Sequence, residues 1–296
     1  IEDPKLKGWG STAQRSQVLF SFNQAMACRD TQSTPLILLH IPHGAGTFIC
    51  SQAIENNERT CSKVCLCDGG DTAYFHVKSQ SCEARLRGMV ERNITFTAIE
   101  RGLLEDEFCP DQTILYFRNP LDRIDSLISS ATSNVSTLIP ALEKRAVIPP
   151  FHRGPLSAMN MRFFDNFAVR SLVGSRRAYE LPVGSINETH FEQARANMMR
   201  VGFLMTDRFL LQHKVGAVRR LHKPPLCWKA FDLSMAAAAN ASVNHHRPLG
   251  ARLSPAERDH LARRWNRWDM QLYELAWQND MRMYLDLSNV NSRSQR

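Results

Sequence analysis

One segment predicts the fold, and it reads Leu36-Ile-Leu-Leu-His-Ile-Pro-His-Gly-Ala-Gly-Thr47. A short, continuous run of apolar residues opens it, which is typical of a strand buried on both faces of a parallel sheet. Pro42 and two glycines then interrupt the run, and a helix is predicted from Thr47 onward with Phe48 on its apolar side. The segment therefore predicts a strand, a glycine-containing loop and a helix in succession.

Strands and helices alternate along the rest of the chain. The predicted elements are strands over Ile94–Ile99, Thr113–Phe117 and Val201–Met205, and helices from Pro120, over Met159–Val173 and over Phe191–Met199. This alternation predicts an α/β fold in which helices flank a largely parallel central sheet. The segment Ser136–Pro155 contains four prolines and is predicted to be a surface loop or lid.

The last helix has the clearest start signal. Ser254-Pro-Ala-Glu257 matches a capping box with proline at the first helical position. An apolar stripe with helical spacing follows it, made of Leu261, Trp265, Trp268, Leu272 and Leu275. No firm linker interrupts the pattern, so one domain is predicted over residues 35–287, with an N-terminal arm over 1–34 and a polar tail over 288–296.

Composition and charge narrow the class of protein. Hydrophobic residues make up 43% of the 296 residues and charged residues 22%, which excludes disordered and fibrous classes. The net charge of +8 favours an anionic partner: nucleic acid, an acidic glycan, a phosphorylated cofactor or a membrane surface. Because the basic residues are scattered and no reader motif occurs, we expect no nucleic-acid partner. No apolar run reaches the roughly 18 residues that span a bilayer.

The cysteines and the glycosylation sequons indicate the cellular compartment in which the protein folds. Four of the eight cysteines fall within Cys61–Cys82, where zinc binding is one interpretation. Their spacing lacks the paired C-x2-C pattern, so we favour disulfides. Four N-glycosylation sequons occur, at Asn93, Asn134, Asn187 and Asn240. Together with an even number of cysteines, they predict the secretory lumen.

The first strand–helix junction has residue types that can bind an anion. Gly44 and Gly46 would allow backbone amides to surround an anion, and Thr47 could add a hydroxyl donor. An ordinary strand–helix turn explains these glycines equally well. The loop lacks the G-x4-G-K-[ST] pattern of nucleotide triphosphatases, because no lysine precedes Thr47.

A second junction of this kind follows the strand Thr113–Phe117. Arg118 supplies a forked, permanently charged donor suited to a phosphate, and Ser126 lies two turns along the next helix. The alternative is an ion pair between Arg118 and an acid such as Asp122, with Ser126 as a small helix residue.

In this order, the two junctions resemble those of the Golgi carbohydrate sulfotransferases, a heparan and chondroitin sulfotransferase-like family. The first is similar to the family's H-I-P-K-T-x-G-T loop, which holds the 5′-phosphosulfate of 3′-phosphoadenosine 5′-phosphosulfate (PAPS). The second is similar to the R-D-P-x-x-R-x-x-S segment, which holds the 3′-phosphate, and Phe164-Asp-Asn-Phe-Ala-Val-Arg170 resembles the D-N-x-x-x-R helix. The resemblance runs from about Leu36 to Ala276 and implies a P-loop-like sulfotransferase architecture. It implies nine PAPS-binding residues: His43, Gly44, Ala45, Gly46, Thr47, Phe48, Arg118, Ser126 and Arg170.

Three positions depart from the family pattern. His43 replaces the loop lysine, Gly44 the next threonine and Asn119 the aspartate before proline. In the family, that lysine stabilises the leaving phosphate, and a protonated His43 could do the same. Imidazole has a reference pKa of about 6.5, so the substitution indicates either an enzyme favoured by mildly acidic pH or a damaged one. Neighbouring phosphates favour the charged imidazole, and we expect an active enzyme.

The implied reaction moves a sulfuryl group in line from PAPS to an acceptor hydroxyl, and it requires no metal. A base must take the acceptor proton. Glu100 is the first candidate because it ends a strand at the expected active edge, although a surface carboxylate paired with an arginine would look the same. His40 and His76 are the other candidates. His43 completes the predicted catalytic set with Glu100 and His40.

The acceptor is predicted to be a carbohydrate hydroxyl. A protein tyrosine or a small hydroxylated metabolite would be served by the same chemistry. A different class remains open, a non-catalytic protein that binds an anionic glycan or nucleotide and has lost the loop lysine. The resemblance implies a Golgi-lumen protein of type II topology, with its membrane anchor upstream of Ile1.

Overall fold

The structure is a computed structural model of the chain. It describes residues 35–41, 46–62, 65–66, 81–100, 102–104, 106–130, 135–144, 161–208 and 253–279. Among these residues, no helix is both long and apolar enough to cross a membrane. The predicted N-terminal arm and C-terminal tail lie outside the described residues.

Four parallel strands form one sheet. They are β1 (Leu36–Leu39), β2 (Phe96–Ile99), β3 (Thr113–Phe117) and β4 (Phe203–Thr206), in the spatial order β2-β1-β3-β4. Leu38 lies beside Ala98 of β2 on one side and Ile114 of β3 on the other. The predicted α/β class and the predicted parallel sheet are confirmed, and β1 to β3 are buried along their whole length.

Helices cover both faces of the sheet. The first four are α1 (Gly46–Glu55), α2 (Cys82–Glu91), α3 (Pro120–Ser130) and α4 (Val135–Glu143). Four more follow: α5 (Phe167–Leu172), α6 (Arg176–Glu180), α7 (Glu188–Met198) and α8 (Pro255–His260). A last helix, α9, is described over 267–279.

The two faces of β1 belong to different core clusters. Ile37 and Leu39 pack in a cluster with residues of α5, α7 and α9. Leu36 and Leu38 pack in a second cluster with residues of α1. Successive side chains of a strand point to opposite faces, so an apolar run without alternation is what a two-sided core requires.

Two sequence-based predictions of secondary structure are wrong in part. The predicted loop at Ser136–Pro155 begins instead with α4, although Pro140 lies inside that helix. Leu138 and Leu142 are fully buried one helical turn apart, and their packing outweighs the missing hydrogen bond at proline. Residues 145–160 lie outside the described part of the chain.

The helix predicted over Met159–Val173 is interrupted. A 3-10 turn spans Met161–Phe164, and α5 begins only after Asn166, whose φ is 45°. Asparagine tolerates this left-handed conformation better than most residues. Its side-chain oxygen accepts hydrogen bonds from the backbone N–H groups of Trp268 and Asp269, which stabilise the break.

The C-terminal capping box is confirmed. The Ser254 side chain accepts from the Glu257 backbone N–H, and the Glu257 side chain accepts from the Ser254 backbone N–H. A single π-helical turn over Leu261–Trp265 separates α8 from α9. The predicted apolar stripe is buried from Leu261 to Leu272.

Two disulfides connect segments around the sheet. Cys50 of α1 is bonded to Cys65, whose carbonyl accepts from the backbone N–H of Ala98 in β2. Cys82, at the start of α2, is bonded to Cys109 just before β3. Cys61 is also disulfide-bonded. The predicted disulfides are confirmed for these cysteines.

Candidate functional site

The candidate site lies at the carboxyl edge of the sheet. The chain passes from β1 to β2 on one side, and then returns to β3 on the other side of β1. The segments that follow β1 and β3 therefore leave the sheet in opposite directions. Ligands of parallel sheets bind at such a point, in the crevice beyond the carboxyl ends of the strands. His40, Glu100, Arg118 and Asp207 each follow one of the four strands directly.

His40 and Glu100 are in contact across the ends of β1 and β2. The Nδ1 atom of His40 lies 3.4 Å from Oε1 of Glu100, and the two side chains are 12% and 19% exposed. The backbone N–H of His40 donates to the carbonyl of Ile99 at 2.9 Å, which extends the β1–β2 pairing to the site. The parallel pairing thus brings two of the predicted catalytic residues together.

The imidazole of His40 also contacts the start of α1. The backbone N–H of Gly46 donates to Nε2 of His40 at 3.1 Å, so Nε2 is the acceptor and Nδ1 carries the proton that faces Glu100. A Cβ at position 46 would lie 2.1 Å from the ring. Glycine is therefore required at this position by the close approach of the ring.

The other predicted residues of the first junction divide into three groups. Thr47 is exposed, and Phe48 is buried against the sheet, so its side chain is part of the core. The predicted residues His43, Gly44 and Ala45 lie outside the described residues, as does His76. No acidic residue occupies the first turn of α1, so the partial positive charge of that helix end stays uncompensated by its own side chains.

The second junction is held by two polar residues beside the half-buried Arg118. The side-chain oxygen of Asn119 accepts from the backbone N–H of Leu121 at 3.0 Å, at the start of α3. The backbone N–H of Asn119 donates to Oδ2 of Asp207 at 3.1 Å. Asparagine caps a helix about as well as aspartate, so the departure at position 119 keeps the cap and removes a negative charge next to Arg118.

Asp207 is a buried carboxylate at this edge that the sequence analysis did not identify as a candidate site residue. Its Oδ1 atom accepts from the Tyr273 hydroxyl at 2.6 Å and from the Arg208 backbone N–H at 2.8 Å. Burial raises its pKa, and these hydrogen bonds act in the opposite direction. The signal that could have found it is positional, because Asp207 follows its strand in the same way that Arg118 follows β3.

Asp122, the proposed alternative partner of Arg118, forms an ion pair with another residue. Its Oδ1 lies 2.6 Å from Nη2 of Arg258. Ser126 is on α3 and is buried, two turns after Asn119. Arg118 therefore lies between β3 and α3, and Ser126 lies within the helix that follows it.

Arg170 occupies the core. Its guanidinium is fully buried and forms an ion pair with Asp165. It also donates to the carbonyl oxygens of Asp165, Ala178, Leu181 and Pro182. These contacts hold the connection between α5, α6 and the turn that follows. Because the guanidinium is surrounded by protein acceptors, these contacts indicate a structural role for Arg170, and its contact with PAPS stays a prediction.

Comparison of the chain with protein-family models, curated proteins and solved structures finds no match.

Proposed function

We propose that the protein is a PAPS-dependent sulfotransferase that acts on a carbohydrate hydroxyl. The observation that carries the proposal is the adjacency of β1 and β3 at the switch point of the sheet. The glycine-containing segment after β1 and Arg118 after β3 therefore start from neighbouring strand ends. A nucleotide with phosphate groups at both ends could be held between them.

The residues present suit a doubly anionic nucleotide. The N-termini of α1 and α3 both lie beyond the carboxyl ends of their preceding strands, where backbone N–H groups and the helix dipole attract anions. Arg118 would hold the 3′-phosphate as a bidentate donor. Gly46 and Thr47 would face the 5′-phosphosulfate. PAPS supplies the sulfuryl group and leaves as adenosine 3′,5′-bisphosphate.

His40 and Glu100 would supply the base. In the transfer, the acceptor oxygen bonds to sulfur while the bond from sulfur to the bridging phosphate oxygen breaks. The acceptor proton passes to Nε2 of His40, and Glu100 stabilises the resulting imidazolium through Nδ1–H. In many enzymes a nucleophile is activated in the same way, by a base that a carboxylate orients. In the structure, the backbone N–H of Gly46 donates a hydrogen bond to Nε2 of His40. An anion that accepts from this N–H instead would leave Nε2 able to take the acceptor proton.

Several features support a carbohydrate acceptor in a secretory compartment. The net charge of +8 suits an acidic glycan. The disulfides Cys50–Cys65 and Cys82–Cys109 suit an oxidising lumen. We therefore propose a Golgi-lumen enzyme, with the type II topology that the family resemblance implies. A tyrosine or a small hydroxylated metabolite is the alternative acceptor within the same chemistry.

An acceptor screen with labelled PAPS tests the proposal. We expect label to pass to a glycan, with release of adenosine 3′,5′-bisphosphate, at a rate that changes between about pH 5 and 8, where histidine changes charge. The matched variant His43→Lys restores the family residue and should extend activity to higher pH. An unchanged pH profile in that variant would exclude a role for protonated His43. Tight binding of the bisphosphate without turnover on any acceptor would instead favour the non-catalytic binding protein.

A further inference from the structure

The start of α7, from its capping residue Asn187 onward, contains a sequon that the proposed reaction does not use. Asn187-Glu-Thr189 meets the N-x-[ST] requirement, because the middle residue is not proline. All three residues are exposed. The side-chain amide that would be modified and the hydroxyl that the transferring enzyme must recognise are therefore both on the surface of the folded protein.

The amide of Asn187 has two atoms with separate roles. Its Oδ1 atom caps α7 by accepting from the backbone N–H of His190 at 3.3 Å. The backbone N–H of Asn187 donates to Nδ1 of His190 at the same distance. The cap uses Oδ1 and the backbone, whereas N-glycosylation takes place on Nδ2. A sugar on Nδ2 therefore leaves both hydrogen bonds of the capping box in place.

His190 stays in the state that the capping box needs. Burial lowers its pKa, and the positive charge of Arg170 lowers it further. The neutral imidazole can accept through Nδ1, whereas the imidazolium cannot. The cap that holds Asn187 at the surface is consequently intact at neutral pH.

In the other described sequon, Asn93-Ile-Thr95, the threonine is buried. Asn93 is exposed, but Thr95 is only 3% exposed. The Thr95 hydroxyl donates to Glu58 and accepts from the backbone N–H of Arg59 at 2.8 Å. Once β2 has paired, this hydroxyl belongs to the core. The sequons at Asn134 and Asn240 lie outside the described residues.

We infer that Asn187 carries an N-linked oligosaccharide. The oligosaccharide comes from a lipid diphosphate donor of the secretory pathway. A bond forms between Nδ2 and the anomeric carbon of the first sugar, and the bond from that carbon to the diphosphate oxygen breaks. One Nδ2 proton goes to a base of the transferring enzyme, and the lipid diphosphate leaves. The disulfides at Cys50–Cys65 and Cys82–Cys109 fit passage through that oxidising compartment.

The test is expression of the chain behind a cleavable secretion signal in cultured animal cells. The secreted protein is treated with peptide N-glycosidase in ¹⁸O-labelled water, which converts a glycosylated asparagine into a labelled aspartate. We expect the label at position 187. A secreted protein with unlabelled Asn187 overturns the inference, whether or not another sequon is occupied.

Two variants separate the glycan from the helix cap. Glu188→Pro places proline at the first position of α7, where a helix accepts it, and it destroys the sequon while Asn187 remains. Thr189→Ser changes the same turn but keeps the sequon. We expect loss of the label at 187 in the first variant and its retention in the second, with equal helix content by circular dichroism. A label that persists in Glu188→Pro would overturn the inference.

Discussion

The backbone N–H of Asn119, which follows β3, donates a 3.1 Å hydrogen bond to the carboxylate of Asp207, which follows β4. Asn119 is the residue after Arg118, so this bond joins the turn that carries the guanidinium to the next strand of the sheet. Tyr273 of α9 donates to the other oxygen of the same carboxylate at 2.6 Å. Three segments of the chain therefore position Arg118, and Asp207 is the residue that they share.

Asp207→Asn should weaken binding of adenosine 3′,5′-bisphosphate, because an amide cannot accept at both of its ends. Arg118→Ala should weaken it more, by roughly 10- to 100-fold, since it removes a charge-assisted contact of about 1.5–3 kcal/mol. Isothermal titration calorimetry measures both. The control is Tyr273→Phe, which keeps the bond from Asn119 to Asp207. A lower melting temperature for Asp207→Asn with unchanged affinity would show that Asp207 only stabilises the fold.

Glu100→Gln should strongly reduce turnover while bisphosphate binding is retained. Glutamine keeps an oxygen that can face Nδ1–H of His40, but it removes the charge that stabilises the imidazolium. General-base catalysis contributes typically 10²- to 10⁴-fold, and we expect a loss of about that size in the rate with labelled PAPS. Near-normal turnover in Glu100→Gln would exclude the proposed role of Glu100 in stabilising the protonated base. His40→Gln should lose activity to a similar degree, because it removes the group that takes the proton.

Arg170→Met should destabilise the fold by about 3–5 kcal/mol, because it leaves the buried carboxylate of Asp165 without its partner. Urea denaturation measures the change in the free energy of unfolding. The double variant Arg170→Met, Asp165→Leu should recover part of the loss, since it removes both buried charges. If Arg170→Met is as stable as the wild type but binds the bisphosphate more weakly, Arg170 belongs to the nucleotide-binding site.

Asp269 should make stability depend on pH between about 4 and 6. Burial raises its pKa from 3.8 to about 6, although its two oxygens accept from the backbone N–H groups of Ala168 and Val169 at 2.9 Å. In this window the folded protein holds a proton that the unfolded chain has lost. The contribution of Asp269 to the free energy of unfolding is therefore present below pH 4 and falls as the pH rises towards 6, by at most about 3 kcal/mol.

The matched variant for this prediction is Asp269→Asn, which cannot ionise. The free energy of unfolding of the wild type, minus that of the variant, should decrease from about pH 4 to 6 and stay constant above it. Urea denaturation at several pH values measures this difference. A difference that increases with pH would mean that the two backbone hydrogen bonds outweigh desolvation of the carboxylate.

The strands could be predicted because both faces of the sheet are covered. Continuous apolar runs such as Leu36–Leu39 and Thr113–Phe117 occur where no face meets water. The capping box at Ser254 could be predicted because it involves only four neighbouring residues. Helix α4 could not, since Pro140 argues against a helix locally and only burial of Leu138 and Leu142 outweighs it.

The break at Asn166 and the role of Arg170 depend on contacts that local patterns do not contain. Asn166 is held in its left-handed conformation by backbone groups 102 and 103 positions later in the chain. The acceptors of Arg170 include carbonyl oxygens in the turn after α6. A motif of seven residues cannot distinguish a guanidinium that binds a phosphate from one that holds such a turn.

The amino-acid sequence by itself determined where the buried strands lie and where the capped helix after Ser254 begins. These properties depend on hydrophobic pattern and on hydrogen bonds between near neighbours. Only the tertiary structure decided that β1 lies between β2 and β3, and hence that His40 meets Glu100 and that Asp207 meets Asn119. The physical reason is that strand order is set by packing of the whole sheet against its helices, and it brings together residues that are 60 or more positions apart.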